Sequence, residues 1–236
     1  MNIILLEKSD FIETTKVAIR GYRAQHISKV LRATPGQVLK IGMVNGNIGQ
    51  GIFIAGNSQQ VELEVDKFNL APPKSLPVTL IVAMQRPKTM KKILQSATTM
   101  GVKQFIIIET WKVEKSYWSS PLLEEQELEE QFKLGLAQGG DTMMPSILIK
   151  RRFKPFVEDD LPAIIAGTLG LVAHPNAHEK CPANINEQVT LSIGPEGGFT
   201  EYEVDKLIAA GMQAVNIGLR PLRSEFAVTA LLAKLF

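Results

Sequence analysis

The spacing of apolar and polar residues predicts mainly β-structure for the first seventy residues. Apolar and acidic residues alternate over residues 61–66, as in a strand with one face in solvent. Residues 38–44 and 48–54 are β-rich runs on either side of Asn45-Gly46-Asn47, and Asn-Gly is a strong hairpin signal. We expect residues 26–32 to be a short helical or irregular piece before the turn at Pro35-Gly36.

A proline-rich segment then separates two patterns. Residues 71–77 contain three prolines, which continue neither a strand ladder nor a helix, so we expect a domain boundary there. Strands are predicted at residues 78–83, 105–108, 147–149, 169–173, 189–193 and 214–217, and helices at residues 90–100, 121–138, 201–210 and 226–236. This alternation predicts an α/β domain whose parallel sheet is covered by helices.

Composition excludes several classes of protein. Hydrophobic residues make up 45% and charged residues 21% of the 236 residues, which is typical of globular domains. No apolar run approaches the roughly 20 residues of a membrane helix, and the first residues lack the basic region of a signal peptide. The single cysteine, Cys181, allows no internal disulfide, so we expect a cytoplasmic protein.

Charge is unevenly distributed, although the net charge is only +2. Residues 1–50 hold seven basic and three acidic side chains, and a second basic group comprises Arg86, Lys88, Lys91 and Lys92. The acidic residues are pooled at residues 124–130. Such segregation suits a polyanion on one face, and it equally suits two basic surfaces that face only solvent.

The sequence SIGPEGGFTEYE at residues 192–203 leaves an apolar strand and opens a helix. Thr200 and Glu203 form a predicted capping box, and Gly211 is expected just after the end of that helix. Loops of this kind often hold an anionic ligand or a nucleotide, but neither G-x-G-x-x-G nor a Walker A sequence is present. Glu196 would repel phosphate and prefers a cation or hydroxyl groups. A tight turn before a helix, with Glu196 favoured by the helix dipole, is the alternative interpretation.

A similar loop precedes the last helix. It contains Gly218, Arg220 and Arg223, and it is followed by Ser224 as a predicted N-cap and Glu225 in the first turn. Capping accounts for the serine and the glutamate but not for two arginines beside an apolar segment. Two such loops at neighbouring positions of a parallel sheet would form one pocket at the carboxyl ends of the strands.

Two histidines and the cysteine lie close together at residues 174–181. They supply only three potential zinc ligands at a spacing that matches no common motif, so no metal site is predicted. We expect His174 to end the preceding strand, where its backbone could line a pocket. No motif places a base beside Cys181 that would make it a nucleophile.

The motifs IGPEGGFT at residues 193–200 and IGLRPLRSEFA at residues 217–227 resemble the RsmE family. These are uridine-N3 methyltransferases of 16S ribosomal RNA in the SPOUT superfamily. HISKVLRATPGQVLKI at residues 26–41, residues 86–102 and LAQGGDTMMP at residues 136–145 are similar to further segments of the family, so the resemblance covers the whole chain.

The resemblance implies a PUA-like β-barrel that binds RNA at residues 1–72 and a SPOUT methyltransferase domain at residues 73–236. It further implies a parallel sheet with a deep trefoil knot at the C-terminus, S-adenosylmethionine as cofactor, and a homodimer that acts on 16S ribosomal RNA of the small subunit. The implied cofactor residues are Ala173, His174, Gly194, Pro195, Glu196, Gly197, Gly198, Ile217, Gly218, Leu219, Leu222, Arg223, Ser224 and Ala227. Candidate RNA contacts are Arg20, Arg23, Arg32, Arg86 and Lys88.

Catalysis is expected to depend on Arg223, Glu225 and Glu196. Uracil N3 carries a proton and becomes a good nucleophile only when that proton leaves. We expect Arg223 to stabilise negative charge on a uracil carbonyl, and Glu225 or Glu196 to orient the arginine or to accept the proton.

Three positions depart from the family pattern. Phe226 stands where the family has a polar residue, and Asp141 stands where the family has an arginine. At the end of the helix that includes Thr99, this chain lacks a carboxylate that the family has. The alternatives are therefore a SPOUT enzyme acting on another position of ribosomal or transfer RNA, or a non-catalytic RNA-binding module. A mononucleotide-binding protein is disfavoured by Glu196 and by the missing phosphate motif.

Overall fold

The computed structural model describes all residues, Met1–Phe236, and the chain folds as two compact units. The first unit comprises residues 1–74 and 136–144, and the second comprises residues 75–135 and 145–236. None of the helices combines the length and the hydrophobicity that a membrane-spanning helix needs.

The first unit is built on a six-stranded sheet. Its strands are β1 (Ile4–Leu6), β2 (Phe11–Glu13), β3 (Lys16–Arg20), β4 (Val38–Met43), β5 (Ile48–Gly56) and β6 (Gln60–Leu70). They are arranged in the order β1-β4-β5-β6-β3-β2, with β1 parallel to β4 and the other pairs antiparallel. The predicted hairpin joins β4 to β5, with Asn45 in the left-handed conformation at φ 58°. The predicted alternation in β6 is confirmed, since Val61, Leu63 and Val65 are buried. Closure of this sheet into a barrel remains a prediction.

The segment expected to be helical or irregular is helical. Helix α1 (Gly21–Gln25) continues as a π-helix, His26–Leu31, and ends at Arg32, which has a left-handed φ of 50°. Ala24 and Ile27 are fully buried and belong to the same core cluster as the apolar side chains of the strands. The helix therefore covers one face of the sheet of this unit.

The second unit contains the predicted parallel sheet, with seven strands. They are β7 (Val78–Ala83), β8 (Gln104–Ile108), β9 (Ser146–Lys150), β10 (Leu169–Ala173), β11 (Glu179–Lys180), β12 (Val189–Ile193) and β13 (Gln213–Asn216). Their order is β11-β13-β10-β12-β7-β8-β9, and every pair is parallel. All residues of β7 and β12 are buried, as continuous apolar runs predict for strands covered on both faces. The α/β fold with a parallel sheet is confirmed.

Six further helices follow α1 in the chain. They are α2 (Pro87–Thr99), α3 (Glu125–Gly139), α4 (Phe153–Pro155), α5 (Leu161–Ile165), α6 (Glu201–Ala209) and α7 (Ser224–Leu235), with a π-helix, Phe156–Asp160, between α4 and α5. The predicted capping box of α6 is confirmed: the Thr200 hydroxyl accepts from the Glu203 amide, and the Glu203 carboxylate accepts from the Thr200 amide. Gly211 follows this helix with a left-handed φ of 107°.

Candidate functional site

The carboxyl ends of three adjacent strands, β13, β10 and β12, lie at the same edge of the sheet, because parallel strands share one direction. The two predicted loops follow β12 and β13, and β10 lies between these strands. Together with the residues after β10, the loops enclose a cavity of about 280 Å³. This is the carboxyl-end crevice in which open α/β sheets usually bind ligands.

Most of the residues expected to hold a cofactor line this cavity. They are Ala173, His174, Gly194, Pro195, Glu196, Gly197, Gly198, Ile217, Gly218, Leu222, Ser224 and Ala227. Leu219 and Arg223 do not belong to its lining; both are exposed. Arg220 does line the cavity, together with the apolar residues Ile193, Val215 and Leu231. The site thus has an apolar base and a rim of loop backbone, with Arg220 and Glu196 as charged groups.

The turn within the first loop, residues 194–198, explains part of its need for glycine. The Gly198 amide donates to the Pro195 carbonyl at 2.8 Å, and Gly198 has a left-handed φ of 70°. A Cβ on Gly194 would lie 3.0 Å from the Phe199 amide nitrogen, which is an unusually tight contact, so the turn crowds a side chain there. A Cβ on Gly198, in contrast, would meet no atom within 4 Å. That side of the loop faces open space.

Gln85 fixes the beginning of this loop, and it was not identified from the sequence as a residue of the site. Its side chain is 1% exposed, and Nε2 donates to the carbonyl oxygens of Ala83, at 2.9 Å, and Gly194, at 2.8 Å. Its Oε1 is buried without a hydrogen-bond partner. The signal that could have identified it is a polar residue two positions after the apolar strand β7.

Glu196 is anchored to the start of α2. One carboxylate oxygen accepts from the Thr89 hydroxyl at 2.9 Å, and the other lies 3.9 Å from the Arg86 guanidinium. Arg86 also donates to the hydroxyl of Tyr117, and this hydrogen bond, followed by the charges of Tyr117 and Glu196, raises the pKa of the guanidinium. A cation and a hydroxyl are the partners that the sequence predicted for Glu196. Glu196 nevertheless belongs to the lining of the cavity.

The second loop differs from its prediction in one detail. Ser224 is the first residue of α7 and Arg223 is its N-cap, without a side-chain capping bond. Ser224 is buried and lines the cavity instead of capping the helix, which corrects the predicted N-cap. Glu225 does lie in the first turn, where its carboxylate is 3.5 Å from the Lys92 ammonium on α2. Neither Arg220 nor Arg223 makes an ion pair, so both remain available to a ligand.

The residues after β10 hold the third side of the cavity. The His174 amide donates to the Val215 carbonyl at 2.9 Å, and its Nδ1 accepts from the Asn176 amide. Its backbone therefore ends β10 beside β13, as expected. Cys181 is buried, and this burial raises the pKa of its thiol, opposed by the charge of Lys234. A raised pKa disfavours the thiolate that a nucleophilic cysteine needs.

The candidate RNA contacts have different environments within their own units. In the first unit Arg20 and Arg32 are exposed, whereas Arg23 makes a bidentate pair with Asp10 at 2.7 and 2.8 Å and also donates to the Leu5 carbonyl. Burial alone would lower the pKa of Arg23, but the hydrogen bonds to Asp10 and its charge raise it. Arg23 thus stabilises the fold and is not free for a phosphate group. In the second unit Arg86 and Lys88 are exposed at the start of α2.

The three departures from the family pattern have identifiable contacts. The Thr99 hydroxyl donates to the carbonyls of Gln95 and Gly135, and so joins α2 to α3. Asp141 is 3% exposed, and its Oδ1 accepts from the amides of Thr142 and Met143. Phe226 is 58% exposed on α7. The first two residues therefore support local structure, and only Phe226 changes an exposed surface.

Comparison with known proteins identifies the family. The model of the RNA methyltransferase domain matches residues 72–235. The chain belongs to the RNA methyltransferase domain family. The RsmE resemblance that the two C-terminal motifs indicated is confirmed, and with it the prediction of an enzyme that methylates RNA.

Similar proteins and structures extend over the whole chain. Ribosomal RNA small subunit methyltransferase E of Treponema pallidum is 26% identical over 98% of this chain and 88% of that protein. Methyltransferase E 1 of Borreliella burgdorferi is 25% identical over 98% of this chain and 95% of its own length. The crystal structure of methyltransferase E from Neisseria gonorrhoeae with bound S-adenosyl methionine superposes with a TM-score of 0.71 at 21% identity, covering 99% of this chain and 95% of that one. This likeness shows a shared fold.

Proposed function

We propose that this protein transfers a methyl group from S-adenosylmethionine to N3 of a uridine in 16S ribosomal RNA of the small subunit. The observation that carries the proposal is the cavity at the carboxyl ends of β10, β12 and β13, which both motifs of the family line. Relatives named as small-subunit ribosomal RNA methyltransferases, and a structural neighbour that binds S-adenosyl methionine, support the substrate and the cofactor.

The residues of the cavity fit such a cofactor. Gly198 and Gly218 both line the cavity, and a Cβ on either would meet no protein atom within 4 Å, so both leave free space beside their loops. The apolar side chains of Ile193, Val215 and Leu231 suit an adenine ring, and the loop amides and carbonyls suit its ribose and amino-acid parts. When bound, the cofactor supplies an electrophilic methyl group on a sulfonium sulfur.

The chain's own side chains would prepare the uracil. Glu196 lines the cavity and is held by Thr89 and Arg86, which suits a carboxylate that accepts the N3 proton. Arg223, with Arg220 three residues before it, has no anionic partner and suits the negative charge that develops on a uracil carbonyl. Glu225, which pairs with Lys92, would orient the loop that carries Arg223. Positioning of the uracil against the methyl group would provide the main acceleration.

The finer features of the fold belong to the same proposal. We assign residues 1–72 to a PUA-like β-barrel that binds RNA through Arg20 and Arg32, and residues 73–236 to the methyltransferase domain, with Arg86 and Lys88 as further RNA contacts. We also propose a C-terminal trefoil knot. The return of the chain's end to an earlier loop supports it, since the amides of Asn184 and Ile185 donate to the carbonyls of Lys234 and Leu235.

A homodimer in the cytoplasm completes the proposal. Leu219, Leu222 and Phe226 are 104%, 44% and 58% exposed around the second loop. Three large apolar side chains so close together favour a surface that a second copy covers. The free, buried thiol of Cys181 is consistent with a reducing compartment.

A matched pair of glycine variants tests the cofactor site. Gly198 and Gly167 have almost the same backbone, at φ 70° and 72°, and a Cβ on either would meet no atom within 4 Å. Of these two glycines, Gly198 lines the cavity and Gly167 does not. We expect calorimetry with S-adenosylhomocysteine to detect one site per chain, which Gly198→Ala weakens and Gly167→Ala preserves. Equal weakening by both variants, or no binding to the wild type, would contradict the assignment.

A further inference from the structure

An exposed aromatic surface adjoins the glycine loop that lines the proposed cofactor cavity. Trp111 is 86% and Tyr202 54% exposed, and with Phe153 they form what we term the aromatic platform. It lines a second cavity of about 410 Å³. Exposed aromatic groups of this size are characteristic of interaction sites.

Hydrogen bonds hold the backbone of the platform in place. The Trp111 amide donates to Oε1 of Glu203 at 2.7 Å, and Oε2 accepts from the amide and the hydroxyl of Thr200 at 2.8 and 3.0 Å. Glu203 is only 2% exposed, so these bonds are shielded from water. The backbone that carries Trp111 is therefore held in place, and the Glu203 carboxylate is fully engaged.

A lysine joins the platform to the proposed methyl-transfer site. Lys112, the residue after Trp111, donates from Nζ to the Gly197 carbonyl at 2.9 Å. Thr200, which also lines the second cavity, lies two residues after Gly198. One short loop thus separates the platform from the cofactor cavity.

Several basic side chains lie on the segments that form the platform. Lys112, Arg152 and Lys154 are exposed, and the Lys206 ammonium lies 5.9 Å from the centre of the Tyr202 ring. Glu158 is the acidic partner of both Lys154, at 4.0 Å, and Lys206, at 2.9 Å. Aromatic faces among cations are the means by which proteins bind unpaired bases and their phosphates. The charge makes an apolar protein segment a poorer occupant.

We propose that the aromatic platform stacks an unpaired base of the RNA substrate, in a nucleotide next to the one that is methylated. Lys112 and Lys154 would contact the phosphates of that strand. The inference rests on the proposed function, because it takes RNA as the substrate. It gives the enzyme a way to hold the strand while the target uridine enters the adjacent cavity.

Substitutions of Trp111 test the platform. Trp111→Ala should weaken binding of an unmethylated small-subunit ribosomal RNA transcript about tenfold, in line with the loss of one stacked base. It should raise KM for that RNA and leave the affinity for S-adenosylhomocysteine unchanged, whereas Trp111→Phe should retain most of the RNA affinity. Leu148→Ala, which removes another exposed apolar side chain of the second unit from β9, should have no effect.

A fluorescence measurement tests the platform without removing the Trp111 side chain. The chain has two tryptophans, so Trp118→Phe leaves Trp111 as the single reporter, and a single-stranded oligoribonucleotide should quench it. Unchanged fluorescence with saturating RNA, or equal RNA affinity of Trp111→Ala and wild type, would overturn the inference. So would dissociation of a dimer by Trp111→Ala in sedimentation, since the platform would then be an interface between copies. Quenching without any methyl transfer by the wild type would support the platform and contradict the proposed function.

Discussion

The side-chain amide of Gln85 donates to the carbonyl oxygen of Gly194 at 2.8 Å, although 109 residues separate the two in the chain. This bond ties the end of β7 to the first residue of the glycine loop. The position of the cavity wall therefore depends on a buried amide that belongs to neither C-terminal motif.

Replacement of Gln85 by leucine should consequently damage the cofactor site. Gln85→Leu leaves the carbonyls of Ala83 and Gly194 without this donor, and a buried polar group without a partner costs about 1–3 kcal/mol. We expect the free energy of unfolding to fall by that amount and the Kd for S-adenosylhomocysteine to rise severalfold. Gln104→Leu, at the exposed amino end of β8, is the control and should leave the Kd unchanged. An unaltered Kd in Gln85→Leu would show that the loop does not need this support.

The two candidate carboxylates should differ in their effect on catalysis. Glu196 lines the cavity, whereas Glu225 faces Lys92, so Glu196→Gln should lower kcat about 10²- to 10⁴-fold, as expected for loss of a general base. Glu225→Gln should have a much smaller effect on kcat, because Glu225 pairs with Lys92 and does not line the cavity. Thr89→Val removes the hydrogen bond to Glu196 and keeps the carboxylate, so it should preserve most of the rate. Single-turnover kinetics would decide, and a greater loss in Glu225→Gln would reverse the two roles.

Arg23 should affect stability, and Arg32 should affect RNA binding. Removal of one partner from a buried ion pair costs about 3–5 kcal/mol, and Arg23→Ala leaves Asp10, which is 7% exposed, without its cation. We expect a loss of about 2–4 kcal/mol in urea unfolding, because the pair is not fully buried. Arg32→Gln should leave stability unchanged, weaken RNA binding and reduce its salt dependence. A stable Arg23→Ala protein with weak RNA binding would mean that Arg23 contacts RNA directly.

The stability of the first unit should decrease below neutral pH through His26. Burial, and then the charge of the N-terminal ammonium, lower the pKa of His26 below its ordinary value of about 6.5. The unfolded chain therefore binds the proton more tightly, so the stability that comes from neutral His26 is complete above pH 6.5 and is lost as the pH falls through the folded-state pKa. The unfolding midpoint of the wild type should fall between pH 8 and pH 5.5 by more than that of His26→Gln. Parallel pH profiles of the two proteins would exclude this role.

The order of elements in the second unit could largely be predicted from the sequence. Apolar runs marked the buried strands β7, β10 and β12 with their observed bounds, and the helical spacing of Met90, Ile93, Leu94 and Ala97 identified α2. In these segments the local pattern and the burial imposed by the sheet agree. The order of the seven strands was not predicted, because pairing depends on contacts far apart in the chain.

The remaining differences have similar physical causes. Residues 136–144 group with residues 1–74 because Leu136 and Ala137 share a core cluster with Ile3 and Leu5, which no local periodicity reveals. The short strands β1 to β3 lack a clear alternating pattern. In the site, the motif loops were predicted, but Gln85 and Lys112 act through single hydrogen bonds to loops more than eighty residues away.

Identification of the methylated nucleoside tests the central proposal most directly. Small-subunit ribosomal RNA from a strain that lacks the gene is incubated with the purified protein and S-adenosylmethionine. The nucleosides of this RNA are then separated by chromatography and identified by mass spectrometry. We expect 3-methyluridine, at about one group per RNA molecule, to appear with the wild type and to decrease strongly with Glu196→Gln. A methyl group on a ribose, on another base or on transfer RNA alone, or no transfer to any RNA, would contradict the proposed function.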